Sequence, residues 1–219
     1  MRMPSLRRVL MAWLLLTAAP AALAQAPPGG PPSQRPPSGA SPHGPAPNTP
    51  PAGPRGADAR RAELDRAFEA LRTAPDEGGA TMVEGRIRQL WSSAATPSVA
   101  LLMNRGLRNM QAQLPAEALE DFDAALTLAP EFTEAWLLRA QAHSRAGDSV
   151  AAARDLQEAL RLEPRHWVAL VSLATLQDET GDPAAALRSF RAALAINPQM
   201  PGGANRLRDL RRKAEGDEL

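Results

Sequence analysis

Three histidines, a knot of acids and no cysteine are the side chains through which this 219-residue chain could do chemistry. His43 lies in a proline-rich stretch, His143 near the end of a helical pattern and His166 just after Pro164, so no pair has the spacing with which a helix face grips a metal. Ser144 stands beside His143 without a nucleophile elbow or oxyanion turn, and the glycines form no phosphate-cradling loop. Glu117, Glu120, Asp121 and Asp123 are candidates for paired acid–base carboxylates. They open a helical pattern, where acids suit the positive end of the helix dipole, and they are expected to face solvent. His166 is expected as a turn residue on solvent. Absence of cysteine removes disulfides, thiolate ligands and thiol nucleophiles. The expectation is a protein that is not an enzyme and uses no cofactor and no metal.

The elements that would position any binding residue repeat along the chain. Pro130, Pro164 and Pro198 stand 34 residues apart and close the units 99–132, 133–166 and 167–200, each legible as two short helices. Fixed slots recur: Leu102, Trp136 and Leu170; Gly106, Ala140 and Ala174; Ala118, Ala152 and Ala186; Phe122, Leu156 and Phe190; Ala125, Ala159 and Ala193. In the third unit Gly181 ends one helix through a left-handed C-cap, Asp182 caps the next and Pro183 fills its first turn. Gly147, Asp148 and Ser149 repeat that grammar one period earlier. The first unit has Leu114 before Pro115, which lacks a capping side chain and predicts a weaker turn.

An unbroken 34-residue period with these slots resembles the tetratricopeptide repeat (TPR) family, the middle unit matching best through Trp136, Ala140, Ala152, Ala159 and Pro164. The resemblance implies an all-α array of helical hairpins, a right-handed superhelical solenoid. It would hold three regular repeats, a degenerate N-terminal helical pair and a C-terminal capping helix. Two departures stand out. Arg105 and Arg139 occupy slots usually held by Leu, and Asn109, His143 and Gln177 replace the usual Tyr, so looser packing is expected there, with His143 partly buried.

In this family the first helices line a concave face. The resemblance places Met103, Asn104, Leu107 and Met110, then Leu138 and Gln141, then Val168, Ser172 and Thr175 in a protein-binding groove. Leu137 and Val171 either join them or fill the space between helices. The carboxylate clamp of chaperone-binding members maps onto Met103, Leu107, Leu138, Val168 and Ser172, or one pair earlier onto Glu69, Thr73, Asn104, Glu134 and Leu138; only Asn104 fits. The expected partner is therefore another protein or peptide with hydrophobic anchors, around which Met103 and Met110 could repack. No small-molecule substrate is expected.

The flanks set the context. Residues 1–24 carry Arg2, Arg7 and Arg8, the apolar run Val9–Leu16 and Ala22-Leu23-Ala24, a secretory signal with its cleavage site. The rival reading is an uncleaved anchor; the 16 residues from Val9 to Ala24 are shorter than the roughly 20 of a spanning helix. Residues 25–56 hold twelve prolines and six glycines, the composition of a disordered linker or, alternatively, of a proline-rich ligand. Residues 57–97 carry helical spacing in Leu64, Phe68 and Leu71 and in Val83, Ile87, Leu90 and Trp91, with Gly78 and Gly79 expected at the turn between. Residues 98–200 hold the repeats and 201–219 the capping helix and tail. The net charge is +1, from 25 basic and 24 acidic residues, and loss of the three N-terminal arginines gives 22 minus 24, or −2. Electrostatics makes no case for nucleic acid, and a membrane enters only if the N-terminus stays uncleaved. With arginine far outnumbering lysine, as in GC-rich bacterial genomes, the expected location is secreted, in the periplasm.

Overall fold

The computed structural model describes residues 54–216; the expected signal, nearly all of the proline-rich linker and the last three residues lie outside them. Among the described residues there are nine helices and no strand: α1 Pro54–Arg72, α2 Glu77–Ser92, α3 Pro97–Gln111, α4 Pro115–Leu128, α5 Thr133–Arg145, α6 Ser149–Leu162, α7 Trp167–Glu179, α8 Pro183–Ile196 and α9 Gly203–Glu215. None of them is long and apolar enough to cross a membrane.

Local chemistry sets these boundaries. Gly147 and Gly181 adopt φ of 84° and 86°, ending α5 and α7 in the left-handed region that glycine enters without steric cost. Asp148 and Asp182 then accept hydrogen bonds from the backbone N–H groups of Ala151 and Ala185. In the first repeat Gln113 is forced to φ 61° at the place of those glycines, and Leu114 offers no cap. The strained, uncapped turn is the weak one, since a left-handed non-glycine residue costs about 1–2 kcal/mol. The turn between α1 and α2 differs from expectation. It is Thr73–Asp76, with Asp76 capping α2 through Gly79 N–H, and Gly78 and Gly79 lie inside the first turn of α2.

Within each repeat the two helices approach closely because a small residue faces a large one. A Cβ on Gly106 would stand 2.5 Å from the Phe122 ring. Ala140 and Leu156 share one buried cluster, Ala174 and Phe190 another. The α3–α4, α5–α6 and α7–α8 pairs are the principal contacts, and α4–α5 and α6–α7 join the repeats. First helices also meet one another, α3 with α5 and α5 with α7, while no comparable contact joins α4 to α6 or α6 to α8. The array therefore curves with α3, α5 and α7 on its inner side. At the far end α9 caps α8, burying Leu210 against Ala174, Leu187 and Phe190.

The polar residues in apolar family slots do not loosen the packing; they pair. Arg105 and Asn109 both bond the buried Asp121, the latter at 2.9 Å. One period on, Arg139 grips buried Asp155 with two bonds of 2.8 and 2.7 Å, and His143 lies 3.8 Å from the same carboxylate. In the third repeat Ser189 donates to Gln177 at 2.7 Å. Asp121 is thus not the solvent-facing acid expected of its cluster. Arg139 also reaches Asp123 on α4 at 2.6 Å, tying neighbouring repeats. Such pairs contribute little net stability, yet removing one partner strands a buried charge. The basic residues of α9 are likewise engaged. Lys213, then Arg206, hydrogen-bond Asp178 and hold its carboxyl below the ordinary aspartate value. That contribution is complete above the unfolded value of about 4 and fades as the pH falls through the lowered one.

The N-terminal hairpin α1–α2 departs from the expected arrangement. It does not stack in front of α3 as a preceding repeat would; α1 touches α8 and α2 touches α5, and no sizeable contact joins α2 to α3. The connector, residues 93–96, has the same four-residue length as 129–132 and 163–166. But α3 starts at Pro97, capped by Thr96, two residues ahead of the repeat start at Val99. Two added residues turn the incoming chain by about 200° around the helix axis. The front slot is left open: Leu101 is 66% exposed, while its equivalents Ala135 and Ala169 are fully buried.

Ala140→Leu should lower stability by about 1–3 kcal/mol, because a larger side chain forces the α5–α6 pair apart. A thermal melt checks it. An unchanged melting temperature would mean that the small slots do not set the helix separation.

Candidate protein-binding groove

The inner face carries two depressions. The first, a cavity of about 420 Å³, is lined by Met103, Asn104 and Leu107 of α3, by Phe132, Glu134 and Leu138 at α5, and by Arg88, Gln89 and Ser92 of α2. Leu107 leaves 37% of its surface to solvent, a cost in water that a partner would relieve. The second, about 230 Å³, lies between α5, α6 and α7 and includes Gln141, Ser172 and Thr175, with Val171, Ser144 and Arg145 beside them.

The expected groove residues are thus divided. Met103, Asn104, Leu107 and Leu138 converge on one cavity; Gln141, Ser172 and Thr175 converge on the other. Met110 is buried in the core of the first repeat with Val99 and Phe122, where it fills space between helices. Leu137 does the same in the second repeat, while Val171 is half-buried and reaches both a core cluster and the second cavity. Val168 is half-buried and packs against both the cluster that holds Phe68, Trp91 and Trp167 and the core of the second repeat. The walls are mixed, for Arg88 and Glu134 bring opposite charges to the first cavity.

Beside Val168 lies an aromatic cluster that neither helical spacing nor the repeat period announces. Phe68 of α1 sets its ring edge-on to Trp167, with centroids 6.2 Å apart, and Trp91 of α2 lies 5.3 Å from Trp167. Trp91 also stacks on His166 at 4.2 Å and 17°. His166 is not a solvent-facing turn residue; it is fully buried. Its Nδ1 accepts the N–H of Ala169, capping α7, so the proton resides on Nε2, which donates to Glu134 Oε1 at 3.0 Å. The aligned residues Phe132 and Met200 are apolar, and that slot is the sequence signal for a buried ring here.

On the solvent side of this cluster, Arg165 lies over the Phe68 ring at 4.2 Å and bonds Asp65 at 2.6 Å. Deeper, buried Glu84 accepts from Asn197 Nδ2 at 2.6 Å and pairs with Arg88 at 2.8 Å. Asn197 Oδ1 has no partner. Between α1, α2 and the turns leading into α5 and α7 remains a cavity of about 680 Å³. Among the described residues no group of His, Asp and Glu could hold a metal ion.

His166→Ala removes a helix cap, a ring stack and the partner of Glu134 together. It should cost about 2–3 kcal/mol. Chemical denaturation checks it, and a change within ~0.5 kcal/mol would match an exposed turn residue instead.

The tetratricopeptide-repeat family model matches residues 103–155 and 137–201. No curated protein matches the chain. Among solved structures it is similar to the Sgt2 TPR domain from Aspergillus fumigatus, at 24% identity and a TM-score of 0.52 over 55% of this chain and 82% of that one. The first TPR domain of human RPAP3 is similar at 17% identity and 0.52, over 55% and 95%. The TPR2B domain of yeast Sti1, solved as a pHsp70 complex, is similar at 21% and 0.50, over 55% and 98%. At these identities the likeness speaks for the fold. With the family model matching residues 103–201, the 34-residue period and three small-against-large helix pairs, this part of the chain is an array of tetratricopeptide repeats.

Proposed function

We propose that this protein is a non-catalytic interaction scaffold or holdase that binds a segment of another protein on the face formed by α3, α5 and α7. The observation that carries this reading is the convergence of Met103, Asn104, Leu107 and Leu138 on one open cavity. Leu107 and Leu138 supply apolar surface and Met103 an adaptable wall, which suits a peptide or helix with hydrophobic anchors. The family clamp for an acidic chain terminus has no counterpart at Met103, Leu107, Leu138, Val168 and Ser172. The yeast Sti1 domain, seen as a pHsp70 complex, lends the binding of a protein segment by such an array as an analogy of fold.

The N-terminal residues support an envelope location, with Val9–Leu16 as a signal core and export to the periplasm of a bacterium. That apolar run also favours a second reading, a spacer tethered to the membrane by an uncleaved N-terminus. Mass spectrometry of protein purified from its own cells separates them. A mature chain starting at Gln25 is expected, and a chain starting at Met1 would favour the tether.

Replacing both Leu107 and Leu138 with Glu puts two charges where a bound segment would strip their water. Affinity for the natural partner, identified first by crosslinking, should fall by at least about 2 kcal/mol, roughly thirtyfold. The exposed pair Glu117→Lys and Glu120→Lys on the outer helix α4 should change it little. If the outer variant loses the partner while the inner one keeps it, both having native helicity, the inner face is not the site.

A further inference from the structure

Where the second repeat meets the third, the array already carries a segment of the same chain. We infer that the surface formed by Arg165, Trp167, Val168 and Ile196 is a second protein-binding surface, specific for a helix carrying an acid three residues before an aromatic. The hairpin α1–α2 occupies it in cis through Asp65 and Phe68. This rests on the reading that the array binds segments of other proteins, and adds a site and a recognition rule to it.

The recognition rule follows from Arg165. Its guanidinium, held from its own turn by Glu163 at 3.0 Å, meets the Asp65 carboxylate at 2.6 Å and lies over the Phe68 ring at 4.2 Å. Asp65 and Phe68 are three apart on α1, so one helix face presents both groups to one cation. Beneath them Phe68, Leu71, Ile87 and Trp91 bury against Trp167, Val168 and Ile196. Aromatic anchors at the centre and an ion pair at the rim are the anatomy of an interface between separate proteins.

The hairpin leaves a second place open for itself: at the front of the first repeat Leu101 is exposed at a slot that the other repeats bury. A displaced hairpin has somewhere to go, and the four-residue connector keeps it close. A partner helix with the same acid and aromatic then competes against a ligand of high effective concentration.

The test uses the full chain and a fluorescein-labelled synthetic peptide of residues 57–93 as the probe. Wild-type chain should bind it weakly, since its own hairpin holds the surface. Phe68→Ala removes one buried aromatic, and in that chain the probe should bind at least about tenfold more tightly; Asp65→Lys, which sets like charge against Arg165 at an exposed ion pair, should tighten it about threefold. Asp65→Lys changes an exposed residue, so it decides the matter should Phe68→Ala fail to fold. Adding Arg165→Glu to the opened chain should weaken binding severalfold, and a probe carrying Asp65→Arg should restore it. Equal binding by wild-type and opened chains, absence of binding to any of them, or indifference to charge at position 165 would overturn the inference. The probe is not the natural partner, so a failure of the Leu107 and Leu138 variant to lose that partner would sink the inner-face reading alone.

Discussion

Everything larger in this protein depends on one contact made three times, a small residue on the first helix of a pair against a large apolar one on the second. At Gly106, under Phe122, even one methyl group would meet the ring. That separation lets α3–α4, α5–α6 and α7–α8 form as near-equivalent units, and units of equal shape stack with equal geometry. Once they stack, the first helices meet on one side and the second helices fan out on the other. The inner face, with its two cavities, is a consequence of side-chain volume at positions 106, 140 and 174. The Arg105–Asp121 and Arg139–Asp155 pairs then fix rotation about each helix axis, because a buried carboxylate tolerates only the geometry that satisfies it.

The N-terminal hairpin shows what happens when register is lost by two residues. Thr96 and Pro97 start α3 early, and the helical twist converts that small extension into a large change in direction. Thrown off the stacking axis, α1–α2 has too little of its own core and buries Phe68 and Trp91 on the third repeat. The inner face is consequently unequal along its length. Leu107, at its first-repeat end, is open to solvent, whereas Val168, at the start of α7, packs against the hairpin's aromatic cluster.

The array was legible in the sequence because its determinants are local and periodic. Gly147 and Gly181, the caps Asp148 and Asp182, and the prolines 34 residues apart each act within a few residues of themselves. The polar pairs were legible in principle. Arg and Asp recur sixteen residues apart in both the first and second repeats, at Arg105 with Asp121 and Arg139 with Asp155. Read singly, Asp121 joins an acidic cluster at a helix start, and its pairing is invisible. The burial of His166 is not legible for a related reason: its neighbours in sequence form a turn, while the ring stacked on it, Trp91, comes from far earlier in the chain and from outside the repeat. No periodicity relates the hairpin to its seat. The groove was half legible, since slot position assigns a face but not whether another element packs against it, as Val168 shows, or whether a long side chain such as Met110 turns into the core.

The central claim is that the inner face receives the partner, and site-specific photo-crosslinking in the native cell tests it most directly. A photoreactive residue is placed at Leu107 on the inner face and, in separate chains, at Val150 and Leu128, two exposed apolar positions on the second helices. A partner seated on the inner face gives a discrete crosslinked product from Leu107 and none of that mass from Val150 or Leu128. The same product from the outer positions, with none from Leu107, would contradict it.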